Sequence, residues 1–137
     1  MKDINELYLP DEARYTADHE YAILSESGDG TVRIGLSDYA QDQLGDIVFV
    51  ELPEVGDSVG KGEVFGTVES VKAVAELYMP IGGTVVAINT ILEDSPELVN
   101  TSPYGEGWMM EMTPADPGDM DALITADAYF KVLKGME

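Results

Sequence analysis

The chain has 137 residues, of which 27 are Asp or Glu and seven are Lys or Arg, giving a formal net charge of −20. This charge excludes nucleic-acid binding, which needs clustered basic residues, and disfavours contact with anionic membrane surfaces. A hydrophobic fraction of 45% is typical of a folded globular protein, and the length predicts a single domain, 1–137.

The first predicted elements are a β-hairpin and a short helix. The segments "YAILSE" (21–26) and "TVRIGL" (31–36) read as strands on either side of the Gly/Asp turn "SGDG". Ser37 is a good N-cap for a helix over the next residues, and Gly45 supplies its stop. The chain therefore changes from strand to helix and back within about 30 residues.

The middle of the chain is predicted to consist of strands and turns, with a β core over about 15–112. Short β-prone runs recur at regular spacing, which favours a sandwich or barrel over βαβ units. The runs are "DIVFVEL", "VFGTVES", "AVAELYM", "GTVVAIN" and "GWMMEM".

Two helices are predicted at the C-terminus, over about 117–134. Asp116 followed by Pro117 is a start signal for the first, and Thr125 is placed to cap the second. In the second, Tyr129, Val132 and Leu133 share one face at helical spacing, so we expect these helices to cover one side of the sheets.

The composition also limits the chemistry that the side chains can supply. Because the chain has no cysteine, disulfides, thiol catalysis and cysteine-based metal sites are excluded, and a single histidine, His19, rules out the usual histidine-rich zinc sites. The N-terminus lacks the apolar core of a secretory signal, and no run approaches the roughly 18 apolar residues of a membrane span. A cytoplasmic location is expected, or the mitochondrial matrix for a mature eukaryotic form.

Lys72 stands among small and apolar residues in "GTVESVKAVAELY" (66–78), where two strands would meet at a tight turn. An exposed lysine at a turn is usually only solubilising. Glu69 lies three residues before it, and a weak internal repeat, with Gly45 over Gly82, suggests two similar halves whose turns at Gly56 and Gly83 approach the lysine. Lys72 is therefore a candidate site of modification.

Several long segments, in order, resemble the H proteins of the glycine cleavage system. "ESVKA" is similar to the lipoylation motif of that family, and "YTADHEY" to its N-terminal motif, with Tyr21 in place of the usual Trp. "IGLSDYAQDQLGDIVFVELPEVGDSV" resembles the central block and "NTILEDSPELVNTSPYGEGWMMEM" the C-terminal block. The resemblance covers nearly the whole chain.

The resemblance implies a mainly β fold, the barrel-sandwich hybrid of lipoyl and biotinyl carriers, with two antiparallel sheets and the modified lysine on a hairpin. Lipoic acid would be amide-linked to Lys72. A glycine decarboxylase using pyridoxal phosphate would load an aminomethyl group, an aminomethyltransferase would pass it to tetrahydrofolate, and dihydrolipoyl dehydrogenase would reoxidise the dithiol. The chain itself would be a non-catalytic carrier without a metal, and we expect a monomer.

Further site residues follow from the resemblance and from charge. Glu69, Gly56 and Gly83 are expected to shape the surface that lipoylating enzymes recognise. Because carboxylates are natural partners for an ammonium, Glu20 and Glu76 are candidates for docking the loaded arm, and the resemblance adds Gln43 in the first helix. We expect this docking to be weak, as for an exposed ion pair.

Other functions were weighed against this one. A biotin carrier typically has its lysine between two methionines, whereas Val71 and Ala73 flank Lys72. Lipoyl domains of 2-oxo acid dehydrogenases usually have Asp before the lysine, followed by a linker and a catalytic domain. An H-like protein that relays lipoyl groups to other enzymes stays open as an alternative. The abundant acids and His19 form no recognisable catalytic constellation.

Overall fold

The computed structural model describes residues 4–25 and 30–135. Within them, ten strands form two antiparallel sheets. The strands are β1 (Arg14–Tyr15), β2 (Glu20–Leu24), β3 (Val32–Leu36), β4 (Ile47–Glu51), β5 (Ser58–Val59), β6 (Val64–Ser70), β7 (Val74–Tyr78), β8 (Gly83–Ile88), β9 (Met110–Pro114) and β10 (Ile124–Thr125). The larger sheet has the order β10-β1-β2-β3-β9-β8-β5, and the smaller one has the order β4-β6-β7.

The two sheets enclose one hydrophobic core. Inward-facing residues of the smaller sheet, such as Val50, Val68 and Leu77, are buried together with Ile34 and Met112 of the larger one. This arrangement follows from the alternation of side chains along each strand, which sends every second residue into the core. The expected mainly β fold with two antiparallel sheets is confirmed.

Three α-helices lie in the described part of the chain: α1 (Asp38–Leu44), α2 (Leu98–Thr101) and α3 (Ala126–Gly135). The start of α1 is as predicted, since the Ser37 hydroxyl accepts a hydrogen bond from the Ala40 N–H at 3.2 Å. Its end is also as predicted, because the Gly45 N–H donates to the Gln41 carbonyl at a φ of 78°. Local capping signals therefore sufficed for this helix.

The C-terminal region differs in part from the prediction. The first expected helix is a short 3-10 helix, Pro117–Ala122, although Asp116 does cap it by accepting from the Gly118 N–H. The Thr125 hydroxyl accepts from the Ala128 N–H at the start of α3, as expected. The helix face was assigned wrongly at one position: Tyr129 and Leu133 are buried, but Val132 is 45% exposed. The sheet also reaches beyond residue 112, through Pro114 and β10.

Several short elements have no strong local signal. The strands β1, β5 and β10 have two residues each, and 3-10 helices occupy Ile4–Glu6 and Thr90–Glu93. The turn predicted at 27–30 lies outside the described residues except for Gly30. Of the helices described, each is too short or too polar to cross a bilayer.

Candidate functional site

Lys72 lies at the tip of the β6–β7 hairpin, with its side chain exposed. The hairpin is closed by Ser70, whose N–H donates to the Ala73 carbonyl at 2.8 Å. The Ser70 hydroxyl oxygen also accepts from the N–H groups of Lys72 and Ala73, both at 3.1 Å. One serine thus holds the backbone on both sides of the lysine, while the amine stays free to react. Ser70 was not among the predicted site residues, although a serine two residues before a turn residue is a recognisable signal.

The hairpin tip rests on the loop that follows α1. The Val71 N–H donates to the Asp46 carbonyl at 3.0 Å. A Cβ atom added to Gly45 would lie 3.4 Å from Lys72 Cε and 4.0 Å from Nζ, so the lysine stem passes over this glycine. Gly45 also has φ 78° and ψ −161°, a conformation that side chains strongly disfavour. The backbone conformation of Gly45 therefore calls for glycine here, whereas an added Cβ would only be in ordinary van der Waals contact with the lysine.

Asn100, from α2, fixes that loop in place. Its Oδ1 accepts from the Ile47 N–H at 2.8 Å, and its Nδ2 donates to the Gly45 carbonyl at 2.9 Å and to Gln41 Oε1 at 3.0 Å. The amide thus ties the end of α1 to the start of β4, on either side of the residue that supports the hairpin tip. This role depends on contacts between residues more than 50 positions apart, and no local sequence pattern indicates it.

A cleft of about 330 Å³ begins beside the lysine, between α1, the edge strand β7 and the turn before β2. Glu20, Gln43 and Glu76, the three residues expected to dock the arm, all line it. The remaining lining residues are Asp18, His19, Leu36, Tyr39, Ala40, Leu44, Ala75 and Leu77. Lys72 does not line the cleft, but its stem passes over Gly45, the residue that follows Leu44, so the lysine is close to it.

Glu20 is the buried carboxyl group of the cleft, with 1% of its surface exposed. Its Oε1 accepts from the Thr16 hydroxyl at 2.9 Å, and its Oε2 accepts from the Tyr78 N–H at 3.3 Å. Burial raises the pKa of Glu20 to about 8, although both hydrogen bonds oppose the rise. The expectation of an exposed carboxylate is therefore wrong for Glu20, whereas Glu76 is exposed. Docking of the arm at either residue stays a prediction.

His19 forms the cleft wall beside Glu20 in a left-handed conformation, φ 72°. Its ring lies 4.7 Å from the ring of Tyr39, and Nδ1 is 2.8 Å from the Tyr129 hydroxyl, which also contacts Ser37 Oγ at 2.9 Å. Burial lowers the pKa of His19, so the imidazole is neutral at neutral pH. Helix α3 thus supports the cleft through Tyr129.

The residues expected to guide lipoylation lie in different places. Glu69 is exposed in β6, three residues from Lys72. Gly83 pairs with Val59 in the larger sheet, and neighbouring Gly82 packs near Lys61, beyond the far end of β6. Strand β6 has seven residues, so its ends are about 20 Å apart. Gly83 therefore lies toward the end of β6 that is opposite to Lys72.

The structure also gives a local reason for glycine at positions 56 and 83. A Cβ atom on Gly83 would collide with the Thr113 carbonyl oxygen and with the Met112 side chain. Gly56 has φ 99° and donates its N–H to the Val85 carbonyl at 2.8 Å, so it lies against β8. Of the strands aligned by the suggested repeat, β4 lies in the three-stranded sheet and β8 in the seven-stranded sheet.

Comparison with known proteins identifies the family. The family model described as "Glycine cleavage H-protein" matches residues 13–136. The glycine cleavage system H protein of Synechococcus sp. (strain RCC307) is 54% identical over 94% of this chain and 97% of its own. That of Listeria monocytogenes serotype 4a (strain HCC23) is 51% identical over 91% of this chain and 98% of its own.

A solved structure agrees with the sequence relatives. The crystal structure of a glycine cleavage system H protein from Mycobacterium marinum has a TM-score of 0.81, with 40% identity over 92% of this chain and 98% of that one. The motifs around Lys72, the two-sheet fold and these matches lead to the same assignment. This chain belongs to the glycine cleavage H-protein family.

Proposed function

We propose that this chain carries lipoic acid as an amide on Lys72 and serves the glycine cleavage reaction as a mobile carrier. The observation that supports this most strongly is the position of an exposed lysine close to a cleft that contains a buried carboxyl group. The partners would be glycine decarboxylase, the aminomethyltransferase and dihydrolipoyl dehydrogenase, together with the enzymes that attach the lipoyl group. The chain itself would contribute no catalytic residue, and it would act as a monomer in the cytoplasm.

The residues present fit a lipoyl group. The hairpin holds the Lys72 backbone through Ser70 and leaves the amine accessible. Apolar side chains of the cleft, including Leu44, Ala75 and Leu77, suit a hydrocarbon chain that folds back from the lysine. When bound, lipoic acid supplies the disulfide and dithiol chemistry that this cysteine-free chain lacks.

Glu20 would hold the cationic amine of the cargo. At neutral pH its carboxyl group is largely protonated, because burial has raised its pKa to about 8. A cation placed against it would favour the carboxylate, which would then form a charge-assisted hydrogen bond away from bulk water. Docking would therefore be stronger than at an exposed ion pair, and the surrounding residues would keep water from the cargo.

The other cleft residues would have supporting roles. Glu76 and Gln43 are both exposed at the edge of the cleft, where they would contact the arm as it enters or leaves. Recognition by the lipoylating enzyme would depend on Glu69 beside the lysine. For Gly56 and Gly83 we propose an indirect contribution, through the shape of the sheet that supports the hairpin.

Reconstitution tests this function. The lipoylated chain is combined with glycine decarboxylase, and the exchange of labelled bicarbonate into the carboxyl group of glycine is measured. Lipoylated wild-type chain should support exchange that increases with its concentration, whereas the Lys72→Arg variant should support none. Wild-type exchange by the Lys72→Arg variant would contradict the proposal. Adding the aminomethyltransferase, tetrahydrofolate, dihydrolipoyl dehydrogenase and NAD⁺ should then give NADH, as NAD⁺ accepts the two electrons released when the dithiol is reoxidised.

A further inference from the structure

The outer face of the smaller sheet exposes apolar side chains around the Lys72 hairpin. In the strand register Phe49 of β4 lies opposite Glu69 of β6, and Glu69 lies opposite Val74 of β7, so these three form one row across the sheet. Phe49 is 50% exposed and Val74 is 67% exposed. Val48 and Val71, next to this row, are also exposed. We call the surface formed by Val48, Phe49, Glu69, Val71 and Val74 the hairpin face.

A β-bulge adds to the apolar surface of this face. Ile47 pairs with Ser70 and Phe49 pairs with Glu69, so Val48 is an extra residue in β4. Regular alternation would turn one of two successive residues into the core, but Val48 is 52% exposed beside the exposed Phe49. Exposed apolar side chains that are grouped on one face are a feature of interaction surfaces.

We infer that the hairpin face is the docking surface for the enzyme that forms the amide at Lys72, an inference that rests on the proposed function. That enzyme joins a carboxyl carbon to Nζ itself, so its active site has to enclose the hairpin tip. Enzymes that act on the distal end of a lipoyl arm can reach it away from the sheet. The hairpin face is continuous with Lys72 through Val71, the preceding residue.

The reaction at this surface is an acyl transfer. The unprotonated Lys72 amine attacks the carbonyl carbon of an activated lipoyl group, an acyl adenylate or a thioester. A carbon–nitrogen bond forms, the bond to the activating group breaks, and that group leaves with one proton from the amine. The reaction needs no further oxidant or reductant, so the chain has to contribute only the nucleophile and its presentation.

Charge indicates what kind of partner covers the face. Beside the first row lies a second one, in which Glu51 is opposite Thr67 and Thr67 is opposite Glu76. With Glu69, which lies between Phe49 and Val74 in the first row, three exposed carboxyl groups share this face of the sheet with the apolar residues. Two copies of this face would repel each other, whereas an enzyme surface that combines apolar residues with Lys or Arg opposite these carboxyl groups would complement it.

Two bulge valines provide a matched test. Val48 is on the hairpin face, and Val86 is the extra residue of a bulge in β8 of the larger sheet, where it is 42% exposed. Threonine replaces valine with nearly the same shape and keeps the strand preference. The variants are Val48→Thr, Phe49→Thr and, as the control, Val86→Thr.

Initial rates of lipoylation are measured over a range of apo-protein concentrations, with purified lipoate–protein ligase, lipoate and ATP. We expect KM to rise about threefold for Val48→Thr and at least tenfold for Phe49→Thr, because each removes apolar surface from the contact. For the control KM should be unchanged, and kcat should stay within twofold for all three. Thermal melts of the apo proteins verify that the variants are folded.

Wild-type KM for Phe49→Thr and Val48→Thr would overturn the inference, as would an equal rise for Val86→Thr. A concentration-dependent dimer in analytical ultracentrifugation that Phe49→Thr dissociates would assign the face to self-association instead.

The Lys72→Arg variant distinguishes failure of the proposed function from failure of the docking surface alone. If it still accepts a lipoyl group, the proposed function fails. If it accepts none while Phe49→Thr is modified normally, only the docking surface fails.

Discussion

Replacing Glu20 by Gln should change how the stability of the protein depends on pH. Gln has nearly the shape of a protonated Glu but cannot ionise. Its carbonyl can accept from the Tyr78 N–H, and its amide can donate to Thr16 Oγ1, so both present hydrogen-bond contacts have a replacement. The variant therefore isolates the titration of one buried carboxyl group.

The sign of the effect follows from the raised pKa. Below about pH 4.5, the ordinary value, the folded and unfolded chains both hold the proton, and Glu20 adds no pH dependence. Between there and about pH 8 the unfolded chain has lost the proton while the folded chain keeps it, so the free energy of unfolding falls as pH rises. At roughly 1.4 kcal/mol per pKa unit, the titration of Glu20 should lower the free energy of unfolding of the wild-type protein by about 3 kcal/mol between pH 5 and pH 8.

Urea unfolding at pH 5 and pH 8, at constant ionic strength, measures this difference. The many other carboxyl groups titrate in both proteins, so the quantity compared is wild type minus variant. We expect Glu20→Gln to gain about 3 kcal/mol relative to wild type on going from pH 5 to pH 8. Glu76→Gln, which removes an exposed carboxyl group from the same cleft, is the matched control and should show no such gain. Parallel pH profiles for wild type and Glu20→Gln would refute the account of a buried, protonated Glu20.

Three further substitutions test the parts that hold the site. Tyr129→Phe removes the hydroxyl that contacts His19 and should lower the free energy of unfolding by about 1–2 kcal/mol, measured in urea; an unchanged value would show that the contact is unimportant. Asn100→Ala leaves the Ile47 N–H and the Gly45 carbonyl without their partner and should cost about 2–4 kcal/mol, with slower lipoylation as the second readout. Gly45→Ala should cost about 1–3 kcal/mol by backbone strain alone, and a variant as stable as wild type would contradict the observed φ and ψ.

Elements with strong local signals could be predicted from the sequence. Helix α1 begins and ends at capping residues, Ser37 and Gly45, and the hairpin around Lys72 follows from two β-prone runs separated by a tight turn. The two-residue strands could not be predicted, because they exist only through pairing with distant segments. In β1, for example, Tyr15 pairs with both Tyr21 and Ile124.

The sequence could predict which residues lie in the cleft, but it could not predict how buried each one is or what it contacts. Glu20, Gln43 and Glu76 were expected near the arm, and the structure brings them into one cleft. The burial of Glu20 depends on Thr16 and the edge of β7, which no local pattern reveals. The role of Asn100 could not be predicted either, because its hydrogen-bond partners are distant in the sequence.

The position of the lipoyl group is the central claim, and peptide mapping by mass spectrometry measures it most directly. The chain is produced with active lipoylation, its intact mass is recorded, and the modified peptide is fragmented, with the Lys72→Arg variant treated in parallel. The proposed function predicts one lipoyl increment, located on Lys72, and an unmodified variant. An increment on another lysine, or on the Lys72→Arg variant, would contradict it.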